Sequence, residues 1–458
     1  MRRAPDNAAR REALRSLLAA GAALSGLPLR AQTAAPAGAD EPPRLALLIG
    51  NRDYPDKEDL PPIHKNVRDL QAALQQRGFE VTAALDLDFG QARSALDAFA
   101  TRVRAAPPEA TVLFYFSGHG SQVDSENLLV SAGVSPRARP DAVIKGSVAL
   151  RADVVNRLQR PAGGLTIAVV DACRSPLINQ KERDDGLNQV EAPPGCLIAF
   201  STGAGKYAIA PDNDEHNTFY TGSLVKLLGS ASDETSFSDL FRLVKFDVQE
   251  TMLKFPVPVV RTFAQFPFIA ENTQVRRPLS PHGARGAAQR RFGDADEADE
   301  WIKLEGALWP ADVARLAGDF LKHYPASKLA GSALVAREGA VEAAKVLRRG
   351  DVKLFRSAFE APEGVPPESL AELHKAGRGD KDAAARIGHG HGRDSGRYDL
   401  QRFEGWMQYA AVLGNGIASY ALALHYRREN RPNLAAQYEA RARVLGYTPP
   451  PSLDNTRK

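Results

Sequence analysis

Thr111-Val112-Leu113-Phe114-Tyr115-Phe116 runs directly into Ser117-Gly118-His119-Gly120, and Leu165-Thr166-Ile167-Ala168-Val169-Val170 runs into Asp171-Ala172-Cys173-Arg174. Unbroken apolar, β-branched and aromatic runs of this length are the pattern of strands buried on both faces of a parallel sheet. In such sheets, ligands bind beyond the carboxyl ends of the strands. The two segments therefore put a histidine and, 54 residues later, a cysteine at one edge of one sheet. An imidazole there can take a proton from a thiol, the layout of a cysteine nucleophile with its base.

Working outward, the flanking segments complete an alternating pattern. Arg44 to Gly50 reads as a buried strand closing on glycine, and Asn66 to Arg77 as an amphipathic helix with Val67, Leu70, Ala73 and Leu74 on one face. Phe79 to Leu85 is a strand and Phe89 to Arg104 a helix; Val148 to Leu158 is a short helix before the cysteine strand. Cys196 to Thr202 is a further strand, Thr218 to Leu228 and Phe237 to Leu253 are helices, and Gln265 to Ile269 closes the domain. Alternation of this kind predicts an α/β fold, a doubly wound sheet flanked by helices and joined by right-handed crossovers.

The chain has 458 residues, room for two or three domains. A net charge of +4 over that length gives no argument for nucleic acid or an anionic membrane, and no apolar run reaches transmembrane length. Two cysteines make no disulfide scaffold. Residues 1–43 read as an export signal and spacer: Arg10-Arg11 precede an apolar Leu17 to Leu29, and Ala31 offers a small residue for cleavage. The arginine pair resembles a twin-arginine signal, with alanine where phenylalanine is usual; the expected location is exported and periplasmic, with the cytoplasm as the alternative. An oxidising compartment would threaten Cys173 by pairing it with Cys196, unless Cys196 is buried in the sheet.

Residues 273–299 are rich in Arg, Gly and Ala and read as a linker after a domain over 44–272. Beyond them the composition is all-α. Residues 300–360 resemble tetratricopeptide-type helices. Across 368–450 the landmarks Ala376-Gly377, Leu413-Gly414-Asn415 and Leu445-Gly446-Tyr447 recur like Sel1-like repeats. Such periods predict stacked helical pairs, each needing its neighbour to bury its apolar face. A protein partner is expected on these repeats.

At the sheet edge, the thiolate of Cys173 is the attacking species and His119 its base. The amides of Gly120 and Cys173 are the expected donors to a developing oxyanion, worth about 2.7–4 kcal/mol each in comparable sites. Asp171, two positions before the cysteine, shares its strand face and suits a Lys or Arg side chain of the substrate. Other histidines carry no such signal: His64, His216, His282 and His425 stand alone, and His389-Gly390-His391 lacks a third ligand. Arg378-Gly379-Asp380 reads as a helix connection. No cofactor and no metal site is expected.

Residues 44 to about 270 resemble a caspase-like cysteine peptidase (peptidase C14) of the metacaspase and paracaspase type. The resemblance rests on Leu45 to Tyr54, Phe116 to Gly120, Val169 to Pro176 and Ile198 to Thr202, and it covers about half the chain. It implies a caspase-like sheet, a His119/Cys173 dyad, and an endopeptidase in which Asp171 lines a pocket for a basic residue on the amino-terminal side of the cut bond. True caspases have a different residue at the Asp171 position and prefer aspartate. Where the family usually has an Asn-Asp-Ala step, with an aspartate that joins the pocket, this chain has Asn66, which implies a weaker or altered basic preference. Calcium-dependent members carry a run of aspartates before the cysteine strand; here Asp153 stands alone, and no calcium requirement is expected. Relatives cleave themselves after the catalytic strand, which makes Lys181 and Arg183 the expected self-cleavage positions. The alternative reading is a catalytically silent caspase-like scaffold that recruits partners through its helical repeats.

Overall fold

The computed structural model of the chain describes residues 42–123, 126–174, 191–202, 211–262, 264–281, 295–362, 364–396 and 398–447. The expected export signal and the positions Lys181 and Arg183 lie outside the described residues, as does the side chain of Cys173. Among the described residues, eight strands form one sheet: β1 (Arg44–Gly50), β2 (Phe79–Leu85), β3 (Thr111–Val123), β4 (Glu126–Val130), β5 (Ser147–Ala149), β6 (Leu165–Arg174), β7 (Cys196–Phe200) and β8 (Phe268–Asn272). The order is β2-β1-β3-β6-β7-β8; β8 is antiparallel to β7, and the other neighbours on this path are parallel. β2 and β3 flank β1 on opposite sides, so the sheet reverses its growth there, and a crevice opens at the strand ends.

Strand alternation sends side chains to two helical layers. Leu47, Phe114 and Val170 pack with Leu96 and Phe99 of α2 (Phe89–Ala105). Leu48, Tyr115 and Val169 pack on the other face with Leu70 of α1 (Ile63–Gln76), Leu224 of α5 (Phe219–Ser230) and Phe241 of α6 (Phe237–Leu253). The short α3 (Pro140–Lys145), α4 (Asn156–Leu158) and α7 (Pro258–Thr262) complete the domain. α2 starts on a reciprocal cap: Gln91 N donates to Asp88 Oδ1 at 2.8 Å, and Asp88 N donates to Gln91 Oε1 at 3.0 Å.

Several elements differ from the sequence expectation. β3 continues past Phe116, because β4 returns antiparallel and pairs with Gly120 to Val123. β6 follows it as far as Arg174. The expected helix from Val148 begins as β5, recruited by β4, and continues as a π-helical turn over Leu150–Val155. The last strand lies three residues later than expected, at Phe268–Asn272. The stretch expected as a linker is packed over its first residues: Leu279 is fully buried, and its carbonyl accepts from Arg44 Nη1 at 2.7 Å.

Cys196 is buried and free, and burial pushes its thiol up to about 12. It pairs in register with Thr166, seven residues below Cys173 along β6. At about 3.3 Å per residue that is about 23 Å, against the ~7 Å Cα separation a disulfide tolerates. The feared Cys173–Cys196 bond is geometrically excluded in this fold.

The carboxyl-terminal region is helical: α8 (Ala295–Gly306), α9 (Pro310–His323), α10 (Ala330–Leu347), α11 (Pro367–Gly377), α12 (Lys381–His389), α13 (Leu400–Val412), α14 (Gly416–Arg428) and α15 (Pro432–Val444). Neighbours stack in pairs, α9 on α10, α12 on α13 and α14 on α15. The recurring landmarks have physical reasons. Gly414 adopts φ +101, and Asn415 caps α14 by accepting from Ala418 N at 2.7 Å while its amide donates to Asp382 of the preceding pair at 2.9 Å. A Cβ at Gly377 would lie 2.1 Å from Leu308 O, so only glycine lets these backbones meet. No helix among the described residues is long and apolar enough to cross a membrane.

These helices dock directly on the sheet domain. Arg242 of α6 bridges Glu271 of β8 at 2.7 Å and Asp380 at 3.2 Å, so Arg378-Gly379-Asp380 is more than a helix connection. Lys381 sits 3.5 Å from the ring centroid of Phe268, and Lys375 Nζ donates to Thr273 O.

Candidate active site

β1 ends at Gly50, where a Cβ would lie 2.4 Å from Val67 Cγ2; its absence lets α1 close on the strand end. The next residue, Asn51, is buried and works as a clamp: its Nδ2 donates to Val130 O at 3.1 Å, and its Oδ1 accepts from Leu87 N at 3.1 Å. Asp86 holds the same loop, with Oδ1 accepting from Arg52 N at 2.6 Å and Asp53 N at 3.0 Å, and Oδ2 2.6 Å from His64 Nε2. His64, silent in the sequence, thus helps fix the loop that leads to the histidine site.

That loop delivers two groups to His119. The Tyr54 ring meets the imidazole edge-on at 4.6 Å between centroids. Its hydroxyl accepts the His119 backbone N–H at 3.0 Å and donates to Val130 O at 3.0 Å. Gly118 makes room for this, since a Cβ there would sit 2.6 Å from the Tyr54 hydroxyl. His119 Nε2 lies 2.7 Å from Glu58 O. A carbonyl only accepts, so Nε2 carries the proton, and the neutral ring presents Nδ1 as its basic nitrogen. Nδ1 is buried and has no hydrogen-bond partner among the described residues. Burial holds the ring below its ordinary titration range, against the Glu58 carbonyl, which favours the charged form.

The ladder pairs His119 with Cys173 and Gly120 with Arg174 across β3 and β6. Adjacent strands lie about 4.8 Å apart, so the two backbone positions are direct neighbours. Gly120 stands between β6 and β4, paired on its other side with Leu129.

Asp171 pairs with Ser117, one step below the histidine on its face, and is buried. Its Oδ2 accepts from Thr218 Oγ1 at 2.5 Å and Thr221 Oγ1 at 2.6 Å. Burial raises the carboxyl above its ordinary range, opposed by the Thr218, Thr221 and Ser201 hydroxyls and the Thr221 N–H. No ion pair reaches it among the described residues. Asn66, also buried, belongs to the same network: Nδ2 donates to Ser117 Oγ and Thr218 Oγ1, both at 3.2 Å, and Oδ1 accepts from Thr218 N at 3.1 Å. Asp153, the lone acid before the cysteine strand, accepts from Ala149 N at 3.0 Å.

Sequence reading missed Glu58, which acts through its carbonyl and so leaves no side-chain signature. Tyr54 lay within a quoted motif but without a role. Thr218 and Thr221 showed only as the start of a helix.

An α/β sheet that brings a buried histidine beside a cysteine at its carboxyl edge is a cysteine-peptidase-type fold. Residues 43–277 match the family described as Caspase domain, just over half of the chain, and the chain belongs to that family. Over 188 residues it is 24% identical to the mucosa-associated lymphoid tissue lymphoma translocation protein 1 of Homo sapiens, covering 40% of this chain and 21% of that protein. The match thus spans about a fifth of that relative. The crystal structure of caspase-1 from Spodoptera frugiperda aligns with a TM-score of 0.39 and 18% identity, over 52% of this chain and 90% of that one.

Proposed function

We propose that the chain is a cysteine endopeptidase acting through His119 and Cys173, with preference for Lys or Arg on the amino-terminal side of the cut bond. The observation that carries this reading is the pairing of position 173 with a histidine whose Nε2–H is spent on Glu58 O, leaving Nδ1 as base. His119 Nδ1 takes the thiol proton, and the thiolate adds to the substrate carbonyl. The amides of Gly120 and Cys173 receive the oxyanion. His119 then returns the proton to the leaving amine, and water releases the acyl group. Asp171 meets the basic side chain. Lys181 or Arg183 is the self-processing position, and the helical region, similar to tetratricopeptide and Sel1-like repeats, recruits protein partners of an exported enzyme.

The test is a peptide-library cleavage profile of the full chain beside Cys173→Ala, with labelling by a lysyl or arginyl chloromethylketone and intact-mass analysis. Expected are cuts after Lys or Arg, one label, and two fragments in the wild type alone. No cleavage and no label would leave the silent scaffold. Activity is expected to be equal in chelator and in added calcium.

A further inference from the structure

Two hydroxyls and an amide are ordered around Asp171 with a single direction. Thr218 Oγ1 already accepts from Asn66 Nδ2 at 3.2 Å and from Thr221 N at 3.2 Å, so its own proton goes to Asp171 Oδ2. Thr221 Oγ1 spends its proton on the same oxygen, so Tyr115, 2.7 Å away, is the donor to Thr221. Both chains, Asn66 to Thr218 and Tyr115 to Thr221, end on one carboxylate oxygen. A carboxylate offers about four acceptor sites, and these two hydroxyls meet on Oδ2; the Ser201 hydroxyl and the Thr221 N–H also favour the charged form of the group.

We propose that Asn66, Thr218 and Thr221 are positioning residues that set cation selectivity at Asp171, by aiming both threonine hydroxyls at Oδ2 and holding the group as an oriented anion. Asn66 is then the source of the donor chain rather than a lost acid. The proposal rests on Asp171 being the acid that meets a basic substrate residue. The charged neighbours are simple. The titratable groups around Asp171 are Tyr115 on β3 and Tyr220 on α5, both buried and held neutral by that burial, with His119 one step further along the β3 face and Cys173 one step along β6. α1 contributes the neutral Asn66, and no cation pairs with Asp171 among the described residues.

Restoring an acid at position 66 has an expected sign opposite to simple charge counting. Asn66→Asp replaces the donor facing Thr218 with an acceptor, so two buried carboxyl groups compete for the Thr218 proton. Two such groups share a proton rather than both ionise.

The experiment measures kcat/KM on paired peptides that differ only in arginine or its uncharged isostere citrulline before the cut bond, over a range of pH. The full-length wild type is compared with Thr221→Val, Thr218→Ser and Asn66→Asp, each checked by thermal melting. The wild type is expected to favour arginine. Thr221→Val is expected to lower the arginine-to-citrulline ratio about tenfold or more, the worth of one hydrogen bond to a charged group. The lost selectivity should return as pH rises, because a carboxyl short of donors ionises later. Thr218→Ser keeps the hydroxyl and should keep the ratio, whereas Asn66→Asp should lower it at neutral pH. A wild type that favours arginine while Thr221→Val and Asn66→Asp keep its ratio and pH profile overturns the donor chain alone. A higher ratio in Asn66→Asp also overturns it. A wild type that cleaves both peptides equally overturns the basic-pocket reading beneath it.

Discussion

Tyr54 ties three things together at the residue scale: the loop after β1, the His119 backbone and the β4 carbonyl at Val130. Tyr54→Phe keeps the ring against the imidazole but takes the acceptor from the buried His119 N–H, while Val130 O keeps Asn51 Nδ2. The expected cost is about 2 kcal/mol in unfolding free energy, with a lower kcat/KM, read by denaturant titration and peptide hydrolysis. Gly118→Ala should cost more, since its Cβ would press within 2.6 Å of the hydroxyl and 2.9 Å of Phe116 Cζ. The depressed titration of His119 has two consequences of one sign. For the proposed base the ring must be neutral, so the acid limb of kcat/KM is expected below the ~6.5 of a free imidazole, and His119→Ala should abolish cleavage. The unfolded chain binds that proton more readily, so His119 subtracts stability as pH falls below about 6.5 and adds none above it. Most of the candidate site was legible: His119, Cys173 and Asp171 stand out because a titratable side chain at the end of an apolar strand breaks the pattern. Glu58 was not, because a backbone carbonyl has no letter of its own.

At the scale of elements, unbroken apolar runs located β1 and the buried parts of β3 and β6, since a strand covered on both faces admits only apolar residues. Their tips were misjudged because Ser117-Gly118-His119-Gly120 is polar and glycine-rich; pairing with β4, a partner distant in the pattern, keeps it extended. β5 was hidden for the same reason. Three residues that pair with β4 carry no propensity signal strong enough to displace a helix reading. In the helical region, glycine marks where backbones touch. A Cβ at Gly339 of α10 would lie 2.0 Å from Arg378 O, and one at Gly379 would lie 2.5 Å from Gly339 O. Gly339→Ala must push α10 away from the α11–α12 turn. About 2–3 kcal/mol of destabilisation is expected despite alanine's better helix propensity, measured by chemical denaturation. A neutral or stabilising result would mean that the two backbones are held apart in solution.

The whole molecule differs from the sequence picture of two modules on a tether. Composition marked a change of material near residue 273, and a change of composition says nothing about docking. In the fold, the helical region lies on the open side of the sheet, where β8 has β7 for one neighbour and, among the described residues, no strand for the other. Lys381 covers Phe268, Arg386 Nη1 donates to Glu271 O at 3.3 Å, and Arg242 joins Glu271 to Asp380. A bare edge strand invites pairing with another chain, and covering it with helices is one way proteins prevent this. A chain ending at Pro281 keeps Leu279 under Arg44 but strips that cover, leaving Glu271 with Arg242 and without its carboxyl-terminal partners. The expected outcome is concentration-dependent self-association by light scattering and a lower melting temperature than the full chain. The full chain should unfold in one calorimetric transition, because sheet and helices share the Arg242 pairs. Two separate transitions, together with a monomeric shortened chain of unchanged melting temperature, would show that the helices stand beside the sheet without protecting it.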